Sequence, residues 1–209
     1  MKYDALIVAS GKGQRSNLGY NKVFYVMKDG RNVLDHSLSL FLSDTDCEKV
    51  IVVTNEEYFK EIKDDDRIIK VKGGKERKDS VRNGLKEVKS EYVFIHDGAR
   101  PFLHPEALKA LKKKLKESDA CVLGRMAFDT IKYVEEGKII KTIDRNNIFL
   151  AETPQAFKSE LIKECYAKAD DTVFTDDASL AEVFGHEVTI VIDEYDNRKL
   201  TTQEDFRKL

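Results

Sequence analysis

The chain has 209 residues, a length typical of one α/β domain, and we expect residues 1–209 to form a single domain. Lys and Arg number 36 against 38 Asp and Glu, so the formal net charge of −2 lacks the basic excess of a nucleic-acid-binding protein. We therefore expect no nucleic-acid partner. No apolar run approaches the ~18 residues of a membrane-spanning helix, so we expect no membrane partner either. Its three cysteines are widely spaced, which favours neither disulfides nor a zinc site and fits a cytoplasmic protein.

Short runs rich in Val and Ile alternate with amphipathic segments along the chain. This alternation predicts an α/β fold with a mainly parallel central sheet. The predicted strands are 3–9, 49–54, 68–71, 92–96, 120–123 and 188–192. The predicted helices, from their apolar spacing, are 32–41, 76–88 and 104–115.

The first predicted strand ends in a loop with two glycines and two cations, and a third cation follows it. These residues are Gly11, Lys12, Gly13, Arg15 and Lys22. Glycines let backbone N–H groups approach a phosphate, and open α/β sheets place ligands at the carboxyl ends of their strands. The spacing matches neither the dinucleotide fingerprint nor a P-loop, and a lone Gly-x-Gly is equally typical of an ordinary turn. Three cations around one glycine loop nevertheless predict a triphosphate site.

Two later loops also follow predicted strands. Gly73 and Gly74 open a helix that carries Ser80, an arrangement able to hold a sugar or base edge, although a simple helix start is the more common reason for such a pattern taken alone. Asp97 follows strand 92–96, where a Mg²⁺ ion or a ribose belongs. A buried carboxylate without a partner is costly, so we predict a functional role for Asp97.

Residues 129–142 alternate apolar and polar side chains around a turn that contains Gly137. This pattern predicts a β-hairpin, the centre of an arm inserted at about 128–147. Such an arm either caps the edge of the sheet or projects from it and pairs with another subunit.

These loops, in this order and spacing, resemble those of the 2-C-methyl-D-erythritol 4-phosphate cytidylyltransferase family, and the resemblance covers nearly the whole chain. The matching segments are 9–15 with Lys22, 73–81, 96–101, 129–130, 144–146, 153–155, 175–179 and 196–201. The resemblance implies a Rossmann-like nucleotidyltransferase fold with a protruding β-hairpin arm. It also implies transfer of CMP from CTP to the polyol phosphate, with release of pyrophosphate and a need for Mg²⁺, in non-mevalonate isoprenoid biosynthesis.

The resemblance assigns roles to individual positions. The catalytic residues are Arg15, Lys22, Thr130 and Arg145. The CTP site comprises Ala9, Ser10, Gly11, Gly13, Gly74, Ser80, Asp97 and Gly98. Asp97 lies beside the ribose and the Mg²⁺ ion, which the CTP phosphates mainly hold. The acceptor site comprises Arg100, Thr130, Arg145, Thr153, Asp196 and Lys199. The family's arm exchanges between subunits, so a homodimer is expected in which Thr130 and Arg145 serve the partner's site.

The sequence departs from the family pattern at several positions, including Val8, Ser10 and Gly98. Asn21 stands where the family usually has proline, which predicts a looser loop before Lys22. Two rival functions share many of these motifs. A ribitol 5-phosphate cytidylyltransferase differs only in its acceptor, and segments 142–146 and 175–179 resemble it less. A non-catalytic nucleotide-binding paralogue has no need of the retained cations.

Overall fold

A seven-stranded sheet with helices on both faces forms the centre of the computed structural model, which describes residues 1–11, 16–170 and 172–207. The strands are β1 Tyr3–Val8, β2 Cys47–Thr54, β3 Ile68–Lys72, β4 Tyr92–Asp97, β5 Ala120–Met126, β6 Ile131–Glu135, β7 Lys138–Ile143, β8 Phe149–Lys158 and β9 Thr189–Ile192. The α-helices are α1 Val33–Ser43, α2 Arg77–Leu85, α3 Pro105–Lys114, α4 Ser159–Ala167, α5 Asp177–Val183 and α6 Gln203–Arg207, with 3₁₀ turns at Lys22–Phe24, Glu56–Glu61 and Arg145–Asn147.

The sheet has the strand order β3-β2-β1-β4-β8-β5-β9. Every neighbouring pair is parallel except the two that involve β8, which runs antiparallel to β4 and to β5. Val8 at the end of β1 lies opposite Val53 of β2 and Asp97 of β4. The loops that follow these strands therefore leave the sheet at the same edge.

Both faces of the sheet are buried, which explains the near-continuous apolar strands. On one face, Ile7 and Phe94 pack with Phe41 of α1 and with residues of α3. On the other face, Leu6 packs with Val81 of α2 and with residues of α4 and α5. The predicted α/β fold with a mainly parallel sheet is confirmed, and two hydrophobic layers hold the strand ends in place.

Strand β8 was not expected from the sequence. It lies in the middle of the sheet, but it contains Pro154 and polar residues, and a proline argues against an interior strand. The ladder accommodates the proline by an irregularity: Val122 pairs with Gln155, but Gly124 already pairs with Ala151. Helices α4 and α5, on either side of residue 171, were also missed.

The predicted hairpin is present as β6 and β7, which form a sheet of their own. Its turn places Glu136 and Gly137 at positive φ, 48° and 76°, as two-residue hairpin turns require. Apolar side chains of the hairpin are exposed, among them Val134 at 51% and Ile139 at 64%. The hairpin thus does not extend the central sheet.

Over the described ranges, the helices are all too short or too polar to cross a membrane.

Candidate active site

A cavity of about 610 Å³ opens at the shared edge where β1, β2 and β4 end. A volume of this size is typical of small-molecule sites. Of the residues predicted from the sequence, the following line it: Ala9, Ser10, Gly11, Lys22, Gly74, Asp97 and Lys199. Four separate parts of the chain therefore meet at one cavity. Gly13 and Arg15 lie outside the described residues.

Asp97 is the charged centre of this cavity and is only 8% exposed. Lys199 Nζ lies 2.7 Å from its Oδ2, Arg77 Nε lies 3.4 Å from its Oδ1, and Arg100 Nε lies 4.0 Å from Oδ2. Burial by itself raises the pKa of the Asp97 carboxyl, but these cations outweigh burial and lower it. The sequence predicted that a bound ligand would pair with the buried Asp97 carboxylate. In the structure, cationic side chains of the chain itself already do so.

The cavity offers few protein ligands for a metal ion. The described residues hold no cluster of three or more His, Cys, Asp or Glu side chains able to bind a metal. Mg²⁺ needs no such cluster, since it commonly takes one or two carboxylates together with substrate phosphates. Asp97 is a suitable single carboxylate for an ion that a triphosphate carries.

The glycine pair after β3 is required by close packing, of Gly73 against the first loop and of Gly74 against the start of helix α2. A side chain at Gly73 would come within 2.5 Å of Ser10 Cβ, and one at Gly74 within 2.2 Å of Asp79 Cβ. Ser10 Oγ and Ser80 Oγ are 2.7 Å apart, and the Gly74 N–H donates to Ser80 Oγ at 3.0 Å. Ser80 is fully buried. Its hydroxyl therefore connects the loop after β1 with the loop after β3 beneath the cavity wall.

Asn21 contradicts the expectation of a looser loop before Lys22. Its side chain is buried, its Nδ2 donates to the Ala9 carbonyl at 2.5 Å, and its Oδ1 accepts from the Val23 N–H at 3.3 Å. Its backbone N–H, which proline lacks, donates to the Tyr58 hydroxyl at 3.2 Å. The expectation was wrong because the amide side chain fixes the backbone on both sides of Lys22.

Three further predicted residues lie around Asp97 but do not line the cavity. The Gly98 N–H donates to the Val8 carbonyl at 2.9 Å, which ties the end of β4 to β1. The Thr153 hydroxyl accepts from the Asp97 N–H at 3.0 Å and is itself buried. Arg100 donates to the Asn197 carbonyl at 2.6 Å. In this arrangement the three residues support the Asp97 loop. The role of Gly98 toward CTP and the roles of Thr153 and Arg100 toward the acceptor stay predictions.

The predicted arm residues are not brought to this cavity. Thr130 and Arg145 are exposed, and the Arg145 guanidinium donates to the Phe128 carbonyl at the base of the arm. Asp196 is exposed as well and lines a second cavity of about 700 Å³, together with Arg125 and Phe128. One chain therefore assembles the nucleotide side of the predicted site and leaves its arm residues apart.

Arg77 lines the cavity. Its position in the matching segment 73–81 and its charge favour a place in a basic cleft, but no partner for its side chain was predicted. Its guanidinium joins Asp97 to Asp177, at the start of α5. The available signal was that Arg77 and Asp177 both lie in segments of the family resemblance, 73–81 and 175–179. Nothing in the sequence indicated that they pair.

Comparison with known proteins gives one consistent family. The model of the IspD family, 2-C-methyl-D-erythritol 4-phosphate cytidylyltransferase, matches residues 4–208. A protein of that name from Bacillus licheniformis is 40% identical over 98% of this chain and 93% of its own length. The crystal structure of 4-diphosphocytidyl-2C-methyl-D-erythritol synthase from Anaerococcus prevotii is 32% identical with a TM-score of 0.86, over 99% of this chain and 94% of that one. A cytidylyltransferase structure from Francisella tularensis is 29% identical with a TM-score of 0.84, over 98% and 97%.

Proposed function

Because the chain belongs to the 2-C-methyl-D-erythritol 4-phosphate cytidylyltransferase family, we propose that it transfers CMP from CTP to 2-C-methyl-D-erythritol 4-phosphate and releases pyrophosphate, a step of isoprenoid biosynthesis. The observation that carries the proposal is the meeting of Lys22, Asp97 and Lys199 with the glycine loops at one cavity of about 610 Å³. The cavity has the charge and the size for a nucleoside triphosphate.

The reaction is an in-line displacement at the α-phosphorus of CTP. A phosphate oxygen of the acceptor forms the new P–O bond, and the bond to the departing pyrophosphate breaks. Since the attacking phosphate is already anionic, the protein has to position the reactants and neutralise charge, and no side chain has to remove a proton. Lys22 lies at the cavity wall, where its ammonium group is able to stabilise the developing negative charge. We assign Arg15 the same role from the family pattern.

The nucleotide side of the cavity is formed mainly by backbone and small side chains. We propose that Ala9, Ser10 and Gly74 contact the cytidine, and that Asp97 faces its ribose and metal. Mg²⁺, when bound to the triphosphate, neutralises part of its charge. Asp97 would contribute one carboxylate oxygen to that ion, and Lys199, which pairs with the same carboxylate, would bind the acceptor phosphate.

The acceptor side of the site is completed, in this proposal, by the arm of a second subunit. Thr130 and Arg145 are exposed and do not line the cavity of their own chain. The arm also exposes Tyr133, Val134, Ile139 and Ile140, an apolar surface suited to a protein contact. A homodimer in which each arm serves the other subunit's cavity accounts for both features.

The decisive assay is pyrophosphate release with Mg²⁺ and each of the four nucleoside triphosphates. The acceptors are 2-C-methyl-D-erythritol 4-phosphate, ribitol 5-phosphate and a set of sugar phosphates. We expect turnover only with CTP and 2-C-methyl-D-erythritol 4-phosphate, and its loss when EDTA removes the metal. Turnover with ribitol 5-phosphate alone would assign the rival acceptor. CTP binding without turnover on any acceptor would identify a non-catalytic paralogue.

A further inference from the structure

The Arg77 guanidinium spans the space between the cavity and a buried carboxylate behind it. Nη1 and Nη2 donate to Oδ1 and Oδ2 of Asp177 at 3.1 and 2.7 Å. Nε, on the other edge, donates to Asp97 Oδ1 at 3.4 Å. Two acidic residues 80 positions apart in the sequence are thus joined by one side chain.

Asp177 is placed to fix this guanidinium firmly. It is fully buried, and the Tyr166 hydroxyl donates to its Oδ1 at 2.6 Å. Bidentate, charge-assisted hydrogen bonds of this kind are both stronger and more directional than single neutral ones. Burial opposes the charge of Arg77, but Asp177 and Asp97 outweigh burial and raise its pKa, so the guanidinium stays charged.

The start of helix α5, which carries Asp177, is itself tied to the central sheet. Gln155 of β8 accepts from the Ala178 N–H at 2.8 Å and donates to Asp176 Oδ2 at 2.6 Å. Gln155 pairs in turn with Ile95 of β4, the strand that ends in Asp97. The anchor of Arg77 and the residue that Arg77 contacts are therefore held by neighbouring strands of one sheet.

We propose that Asp177 is a positioning residue for the nucleotide cavity, acting through Arg77. Asp177 holds the guanidinium in the wall of the cavity, where Arg77 orients the Asp97 carboxylate and adds a fixed positive charge for the triphosphate. The division of burial supports this: the Asp177 side chain has no exposed surface, whereas 30% of the Arg77 side chain is exposed. This inference rests on the proposed function, since it names a residue for the CTP side of that site.

The same helix provides a matched control. Arg82, also on α2, pairs with Asp170 at 3.4 Å, but that aspartate is 85% exposed and neither residue lines the nucleotide cavity. The two pairs share the helix and the chemistry and differ in burial and in contact with Asp97. Substitutions in the control pair therefore report the general effect of removing an Arg–Asp pair from α2.

The test compares Arg77→Gln, Asp177→Asn and the double variant with Arg82→Gln and Asp170→Asn. Calorimetry gives the Kd for CTP, steady-state kinetics give kcat and KM, and thermal unfolding gives Tm. We expect Arg77→Gln and Asp177→Asn each to raise the Kd and KM for CTP about tenfold, the loss typical of one positioned charge-assisted contact. The double variant should equal Arg77→Gln within about twofold, since Asp177 acts only through Arg77.

A purely structural pair gives a different result. In either case, Arg77→Gln leaves the buried Asp177 carboxylate without its cation, so Tm falls. The double variant should recover part of that loss in Tm. If Kd and kcat/KM recover together with Tm, or if Asp177→Asn lowers Tm but leaves Kd unchanged, the proposal is wrong. Binding of CTP tests the pair without turnover. Failure of the wild-type protein to turn over any acceptor would count against the proposed function and not against this pair.

Discussion

The cavity and the arm carry residues from the same predicted site, but they are built in opposite ways. Around the cavity, Asp97 is buried and held by Lys199 and Arg77, from segments far apart in the chain. On the arm, Thr130 and Arg145 are exposed, and Arg145 donates to the backbone at the base of the arm. The first set of residues is assembled within a single chain, whereas Thr130 and Arg145 lie apart from the cavity of their own chain.

The difference follows from the two kinds of sheet. Parallel strands buried on both faces deliver their following loops to one edge, so convergence at the cavity is a consequence of the fold. A two-stranded hairpin has no such constraint and is only marginally stable on its own in water. Its exposed Val134 and Ile139 are hard to explain unless something covers them. These features support the proposal that the arm acts in a homodimer.

The largest expected effect tests the cavity. Lys22→Ala should lower kcat by roughly 100-fold to 1000-fold, the range for deleting one preorganised charge donor, with a smaller change in KM for CTP. Lys28→Ala, an exposed lysine six positions further on, is the control and should leave kcat unchanged. Steady-state pyrophosphate release measures both variants. A near-normal kcat for Lys22→Ala would remove this residue from the chemistry and weaken the contrast between cavity and arm.

The next effect tests the arm. The double variant Ile139→Ser, Ile140→Ser should dissociate the dimer and lower kcat/KM at least about tenfold, because each cavity then loses its partner's arm. Light scattering alongside the activity assay, over a range of protein concentrations, measures the two properties together. Lys138→Ala on the same strand is the control and should stay dimeric. A fully active monomer would show that the arm residues are not needed in trans.

A smaller effect tests how firmly the loop before Lys22 is held. Asn21→Ala loses the buried hydrogen bonds to Ala9 and Val23, which should cost about 1–3 kcal/mol of stability and lower kcat/KM several-fold. Asn21→Pro loses the same two bonds and also the backbone N–H donation to Tyr58, so it should cost at least as much as Asn21→Ala, although the φ of −68° at Asn21 suits proline. Thermal unfolding and kinetics compare the two variants. A clearly smaller loss in Asn21→Pro than in Asn21→Ala would indicate that the backbone angle, and not the hydrogen bonds of Asn21, holds Lys22.

The smallest effect distinguishes two glycines in the loops that follow β3 and β4. A Cβ at Gly98 would lie 3.3 Å from its nearest neighbours, whereas one at Gly74 would lie 2.2 Å from Asp79. Gly98→Ala should therefore change stability by less than about 1 kcal/mol, and Gly74→Ala should cost about 1–3 kcal/mol as an overpacked site. Chemical denaturation measures both. If Gly98→Ala proves the more damaging, the strand ends are packed more tightly than this account holds.

The sequence predicted which loops line the cavity better than it predicted strand β8 and the ion pairs that hold the cavity residues in place. The loops after β1, β3 and β4 could be placed because their strands are almost continuously apolar. Strand β8 could not, because Pro154 and its polar neighbours conceal an interior strand that accommodates the proline through an irregular ladder. The pairing of Asp97 with Lys199 is equally hidden, since 102 positions separate the two residues and no local pattern reports such a contact. The surface that covers the arm in the proposed dimer belongs to the partner subunit, so it leaves no local pattern in the sequence.

Subunit mixing tests most directly the central claim that one chain's cavity and another chain's arm form the active site. Dimers of Lys22→Ala are mixed with dimers of Arg145→Ala under conditions that allow exchange, and pyrophosphate release is followed with CTP and 2-C-methyl-D-erythritol 4-phosphate. Each mixed dimer then contains one intact cavity served by one intact arm. We predict that activity returns to about a quarter of the wild-type value, because half of the dimers are mixed and each has one working site. If exchange is complete and activity does not rise above that of the two parents, cavity and arm act within the same chain.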